Sequence, residues 1–169
     1  MREKWIVETK KGDFNGLSAR LKVSPLAVRC LMNRGVESEQ EMREFLYGTL
    51  DDLHDPFLMK GMDEAVREIV KAKEQGRKVA IASDFDCDGI FSAYILWKGF
   101  QKIGLDSEIF TPDRVKEGYG LNRRIVDEAL AGGRDFLVTC DNGIAANEEV
   151  DYAKKLGMTV IVTDHHEVQ

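Results

Sequence analysis

Apolar residues recur at two different spacings along this chain. Up to about residue 76 the spacing is helical. Leu17, Leu21, Leu26, Val28, Leu31 and Met32 predict two short helices broken near Ser24-Pro25, after an extended opening around Trp5 to Val7. Gly35 is suited to end the second helix, and Ser38 with Glu41 forms a capping box for a third that runs to about Tyr47. The stretch LDDLHDPFLMKGM reads as a connector. Ala65, Val66, Ile69, Val70 and Ala72 then predict an amphipathic helix over 62–75, stopped by Gly76. From residue 78 the pattern changes. Short apolar runs at 78–83, 107–111, 136–140 and 158–163 read as strands. They alternate with helical spacing over 90–103, 122–131 and 147–156, closed by Gly104, Gly132 and Gly157. Strand and helix in strict alternation predict an α/β fold, a parallel sheet with helices on both faces and right-handed crossovers. The expected division is a small helical subdomain over 1–60 and an α/β domain over 61–169.

Composition narrows the class without naming it. Hydrophobic content of 43% and charged content of 32% describe a globular chain that can bury a core. No apolar run approaches a membrane span, and the opening MREKWIVETKK lacks the apolar stretch of a signal peptide. Cys30, Cys87 and Cys140 are odd in number and form no close pair, which argues for a reduced, cytoplasmic setting. A net charge of −6 argues against non-specific wrapping on nucleic acid, although a bound cation among clustered acids would reverse the local sign.

The chemistry lies at the downstream ends of the predicted strands. The first delivers Asp84, Asp86 and Asp88. The second delivers Arg114 and then Glu117-Gly118-Tyr119-Gly120. The third delivers Asp141-Asn142-Gly143, and the fourth Asp164-His165-His166. Ligand crevices in open α/β sheets lie outside the carboxyl ends of the strands, so four strands deposit ionisable residues on one rim. Asp86, Asp88, Asp141 and His165 make a hard, oxygen-rich set with one imidazole, suited to Mn²⁺ or Mg²⁺. Two ions roughly 3.5–4 Å apart need a bridging carboxylate, for which Asp141 is the candidate, and such a pair suits phosphoester hydrolysis. Asp-x-Asp-x-Asp-Gly also opens an EF-hand loop, but Ile95 stands where that loop needs glutamate and a strand precedes it. Arg114 can fork onto a phosphate. Tyr119 either stacks on a base or sugar or packs on the sheet edge. His54 reads as structural, Cys87 and Cys140 as small packing residues. The stretch SARLKVSPLAVRCLMNRG resembles a helix-turn-helix, yet its second helix is too apolar for a base reader and suits a packing subdomain.

Taken in order, NRGVESEQEMREFL, LDDLHDPFLMKGMDEAV, DFDCDG, PDRVKEGYGLN, TCDNGIAANEEV and TDHHE resemble the amino-terminal half of the RecJ family, 5′ to 3′ exonucleases of the DHH phosphoesterase superfamily. The resemblance implies that Asp86, Asp88, Asp141 and His165 bind two Mn²⁺ or Mg²⁺ ions and that Asp141 is shared. It implies that Asp84 and Asp164 support them, that His166 faces the scissile phosphate, and that Arg114 holds the phosphate of the terminal nucleotide. The implied partner is single-stranded DNA in repair and recombination, with single-strand-binding protein or a helicase as candidate protein partners. Where many members carry a histidine this chain has Ala82, leaving one ion a ligand fewer, and the usual GDYDADG becomes SDFDCDG. A fourth aspartate motif, a cleft-closing domain and an OB-fold are expected beyond Gln169. The chain is accordingly expected to be a fragment that binds metal weakly and has little nuclease activity. Two other readings compete: a phosphodiesterase for short oligonucleotides or cyclic dinucleotides, whose members usually lack the helical lead-in, and an inactive scaffold in a replication complex.

Overall fold

The computed structural model describes Ile6 and residues 10–167, so Trp5 and Val7 of the expected extended opening lie outside the described residues. Two compact units divide the chain, Met1–Leu58 and Met59–Gln169.

The first unit holds α1 (Phe14–Leu21), α2 (Pro25–Asn33) and α3 (Glu39–Tyr47), followed by single 3₁₀ turns at Leu50–Asp52 and Pro56–Leu58. Each helix starts on a polar side chain that accepts an otherwise unpaired amide: Asp13 from Gly16, Ser24 from Ala27 and Ser38 from Glu41. Glu41 answers by accepting the Ser38 amide at 2.9 Å, completing the predicted box. Leu17, Leu21, Val28, Leu31, Met32 and Met42 form the core. Leu26 does not join them and is 69% exposed. Val28, Leu31 and Met32 share one helical face, and a residue two positions before Val28 points away from it. Ser38→Ala is expected to cost about 1 kcal/mol, visible as faster amide exchange across Glu39–Tyr47.

The second unit opens with α4 (Met62–Glu74) and continues β1 (Val79–Ser83), α5 (Cys87–Lys102), β2 (Ser107–Phe110), α6 (Arg123–Ala131), β3 (Phe136–Cys140), α7 (Asn147–Lys155) and β4 (Thr159–Thr163). The strands lie in the order β2-β1-β3-β4 and every pairing is parallel. β1 and β3 are buried along their whole length, as continuous apolar runs between two helical layers must be. Strand alternation sorts the core. Val79 and Ile81 pack with Phe136 and Val138 beneath Ala72 of α4 and Ala93 and Phe100 of α5. Ala80, Ala82 and Leu137 pack on the other face with Ile125, Val126 and Ala129 of α6 and Ala153 of α7. This is the α/β architecture with helices on both faces that the alternation predicts. Among the described residues no helix is long and apolar enough to cross a membrane.

Two boundaries differ from expectation in ways that matter for the site. α5 begins at Cys87 rather than 90, because Asp86 caps it by accepting the Gly89 amide at 3.0 Å. α6 begins one residue late, at Arg123, because Asn122 is its cap. The strand order also locates a crevice. The chain leaves β1 for β2 on one side and returns to β3 on the other, so the crossovers diverge between the carboxyl ends of β1 and β3.

Candidate metal centre

The two ends of the sheet are treated differently. At the amino end, acids meet arginines. Arg77 donates to Asp135 at 3.0 Å and to Thr159 at 3.1 Å, and Arg134 donates to Asp106 at 3.0 Å and Glu108 at 2.8 Å. At the carboxyl end, among the described residues, no lysine or arginine pairs with Asp84, Asp86, Asp88, Asp141 or Asp164. His165 faces Asp141 and His166 faces Asp164.

Asp84 directly follows β1, is buried, and accepts the Phe85 amide at 2.7 Å. Asp86 and Asp88 follow in the cap and first turn of α5, where the helix dipole favours negative charge. Gly89 lets that turn close on the strand: a Cβ there would lie 2.4 Å from the Asp84 carbonyl oxygen. Asp141 follows β3 with φ at +61°, a left-handed backbone rare outside glycine, and its side chain is buried. His165 Nε2 lies 2.9 Å from Asp141 Oδ1. Burial holds the Asp141 carboxyl above the usual range, the His165 contact opposes this, and the charge of nearby Asp86 adds to the rise.

Asp164 organises the other side. Its Oδ2 accepts the Ile144 amide at 3.0 Å, and its Oδ1 accepts the His165 and His166 amides at 2.8 and 3.1 Å and faces His166 Nδ1 at 2.7 Å. Burial pushes this carboxyl up, but those bonds outweigh it and hold Asp164 below the usual carboxylate range. Asp164 in turn raises His166, favouring the imidazolium. Asp141, His165 and His166 offer ligand atoms that all lie within 4.8 Å of one another. Asp84, Asp86, Asp141, Asp164 and His166 line one cleft of about 620 Å³, and Asp88 shares a second, smaller one with Asp141 and His165. Among the described residues Asp141, His165 and His166 form the group at ligand spacing, and Asp84, Asp86, Asp88 and Asp164 line the adjoining clefts without joining it. The donor set, crowded carboxylates and imidazoles that no described lysine or arginine pairs with, fits a divalent cation. Ala82 supplies nothing to it, being buried among the α6 and α7 side chains.

The loop after β2 lies beside this cleft. The Arg114 guanidinium sits 5.2 Å from the Phe85 ring centre, and Tyr119 meets the same ring at 4.4 Å. Tyr119 therefore packs on Phe85 rather than on the sheet edge, remains exposed, and lines the cleft. Among the described residues Arg114 makes no hydrogen bond or ion pair, whereas Arg124 is committed to Glu117 and Glu128, each at 2.7 Å, and to the Thr111 carbonyl. Glu117 also accepts the Asp113 amide at 2.7 Å, closing the loop.

That clamp has a pH signature. Hydrogen bonds from Arg124 first, then from the Asp113 amide, hold Glu117 at about 2 against an ordinary 4.5. As pH falls below 4.5 the unfolded chain takes up a proton that the folded chain refuses. The stability from Glu117 is therefore complete above 4.5 and drains as pH falls towards 2. Glu117→Gln is expected to be less stable than the parent at neutral pH, with the gap narrowing across that window in urea titrations. A constant gap would assign the loss to packing instead.

Sequence reasoning did not single out Phe85, Asn142 or the Ile144 amide. Asn142 is buried, and its Nδ2 donates to the carbonyls of Ala82 at 3.1 Å and Cys140 at 2.9 Å, tying the end of β3 to β1. The string Asp141-Asn142-Gly143 at a strand end carries the signal for it, since a turn with left-handed backbone favours those residue types.

The family model described as "DHH family, N-terminal domain" matches residues 78–169. The single-stranded-DNA-specific exonuclease RecJ of Bacillus subtilis is 38% identical over 165 residues, 97% of this chain and 21% of that protein. RecJ of Escherichia coli K12 is 36% identical over 143 residues, 84% of this chain and 24% of that protein. The chain thus spans between a fifth and a quarter of the length of these curated relatives. Among solved structures, RecJ from Thermus thermophilus in complex with Mn²⁺ superposes with a TM-score of 0.64 at 29% identity, covering 92% of this chain and 21% of that one. An exonuclease RecJ bound to manganese gives 0.61 at 36% identity, covering 66% and 29%. With the acids after β1 and β3 and the imidazoles after β4 on one rim, and with that match over residues 78–169, which hold the whole sheet, the chain belongs to the DHH family.

Proposed function

We propose that this chain is the metal-binding part of a single-strand-specific 5′ to 3′ exodeoxyribonuclease that uses two Mn²⁺ or Mg²⁺ ions. One observation carries the reading: among the described residues no lysine or arginine pairs with any of the five rim carboxylates, of which Asp141 and Asp164 alone meet a histidine, while Asp106, Glu108 and Asp135 at the opposite end of the same sheet are paired with arginines. The RecJ relatives and the Mn²⁺ in their structures support it. In this reading Asp86, Asp88, Asp141 and His165 hold the ions, Asp141 shared between them, with Asp84 and Asp164 as support. Bound divalent ions supply an activated water and neutralise charge at phosphorus. His166, whose imidazolium Asp164 favours, faces the scissile phosphate and donates to its oxygens. Arg114, which makes no hydrogen bond or ion pair among the described residues, takes the terminal 5′-phosphate, and Tyr119 offers a ring to the first base or sugar.

The test is a polypeptide carrying this chain at the length of its RecJ relatives, given Mn²⁺ and long single strands labelled at either end. The expected result is early release of the 5′ label as mononucleotide, stopped by a chelator. Digestion confined to dinucleotides or cyclic dinucleotides would transfer the chain to the short-substrate phosphodiesterases. Strand binding without cleavage would make it a scaffold.

A further inference from the structure

We propose that Phe85 is a positioning residue that couples the acidic turn after β1 to the phosphate-binding loop after β2, by presenting one ring to both Arg114 and Tyr119. The inference rests on the reading of Arg114 as a phosphate ligand given above.

Three observations carry it. First, the Phe85 backbone is fixed from within the acidic turn: Asp84 accepts its amide at 2.7 Å, and Asp86, the next residue, caps α5. The ring is only half-buried, so core packing alone does not explain an aromatic side chain between two acids. Second, the ring touches two residues five positions apart in one loop, Arg114 at 5.2 Å and Tyr119 at 4.4 Å with the planes tilted by 41°. Third, neither partner has another visible anchor among the described residues. Arg114 makes no hydrogen bond or ion pair, and the Tyr119 hydroxyl makes no hydrogen bond.

The clamp of Arg124 on Glu117 shapes the loop backbone but leaves these two side chains to be oriented. A guanidinium over a ring face keeps its edge free for a phosphate while losing rotamer freedom in advance, so less order is needed on binding. An aliphatic residue of similar bulk lacks the π-face that holds the cation.

The experiment compares the parent chain with Phe85→Leu, Phe85→Tyr and Arg114→Ala, in Mn²⁺, for binding a fluorescent single-stranded oligonucleotide with either a 5′-phosphate or a 5′-hydroxyl. Phe85→Leu is expected to weaken the phosphorylated strand about fivefold and the hydroxylated strand, which engages Tyr119 without Arg114, by less. Phe85→Tyr, which keeps the ring, is expected to restore the parent value. If Arg114→Ala weakens phosphate binding and Phe85→Leu does not, the inference is overturned while the functional reading stands. If the parent shows no preference for the 5′-phosphate, the phosphate reading of Arg114 fails. The coupling is then judged without DNA, from the Arg114 Nε–H and Tyr119 ring resonances. These are expected to move towards free-residue values in Phe85→Leu and to hold in Phe85→Tyr. Unmoved resonances overturn the inference whatever the DNA does.

Discussion

Gly89→Ala is expected to destabilise the α/β unit by about 2 kcal/mol or more, although alanine is the better helix former by roughly 1 kcal/mol. The two effects oppose each other, and geometry decides between them. Gly89 lies in the first turn of α5, and an added Cβ would sit 2.4 Å from the Asp84 carbonyl oxygen, 2.6 Å from its carbon and 2.8 Å from the Asp84 Cα. All three are backbone atoms, so no rotamer change relieves the overlap. Either β1 or the start of α5 must shift, and both carry the rim acids. The same helix supplies its own control. Gly99 is exposed, and nothing lies within 4 Å of the Cβ it would gain. Gly99→Ala is therefore expected to stabilise by up to about 1 kcal/mol. Urea unfolding followed by circular dichroism reads both, and Mn²⁺ titration calorimetry should find affinity reduced in Gly89→Ala alone. Equal stability of the two variants would refute the close-approach argument.

Most of the scaffold could be read from the pattern of apolar residues, because a doubly covered parallel sheet leaves continuous runs such as VAIAS and FLVTC. The parts that could not be read share a cause: one side chain serves two purposes. Asp86 is both a rim acid and the cap of α5, so assigning it to chemistry alone delays the helix by three residues. Phe85 sits among acids and looks incidental until the fold brings Arg114 and Tyr119, about 30 residues downstream, onto its ring. Asn142 ties two strands whose adjacency follows from the order β2-β1-β3-β4, which local spacing does not encode. Leu26 shows the converse, an apolar residue at a helical interval that belongs to no buried face. Convergence of the rim was legible because strand ends in such sheets share an edge. Asp141-Asn142-Gly143 marked a turn there but not that Asp141 itself takes the left-handed backbone.

That backbone separates two substitutions that would otherwise look alike. Asp141→Asn keeps a residue type suited to φ of +61° and keeps a polar partner for His165, but removes the charge. Without a bound cation the charge is a liability: the carboxylate is buried, Asp86 is close, and no described lysine or arginine pairs with it. The metal-free Asn variant is therefore expected to be at least as stable as the parent. Asp141→Ala removes the side chain that makes a left-handed residue tolerable and leaves His165 unpartnered, and is expected to cost about 1–3 kcal/mol. Metal binding should follow a different order. Both variants remove the carboxylate at the centre of the cluster, and both are expected to lose Mn²⁺ affinity by about a hundredfold or more. Urea unfolding in chelator and calorimetric titration with Mn²⁺ read the two quantities separately. A residue kept for stability would give parallel losses in both measurements. A residue kept for a cation gives an asparagine variant that folds as well as the parent and no longer holds the ion. If Asp141→Asn binds Mn²⁺ as tightly as the parent, the cluster around Asp141 is not the metal centre.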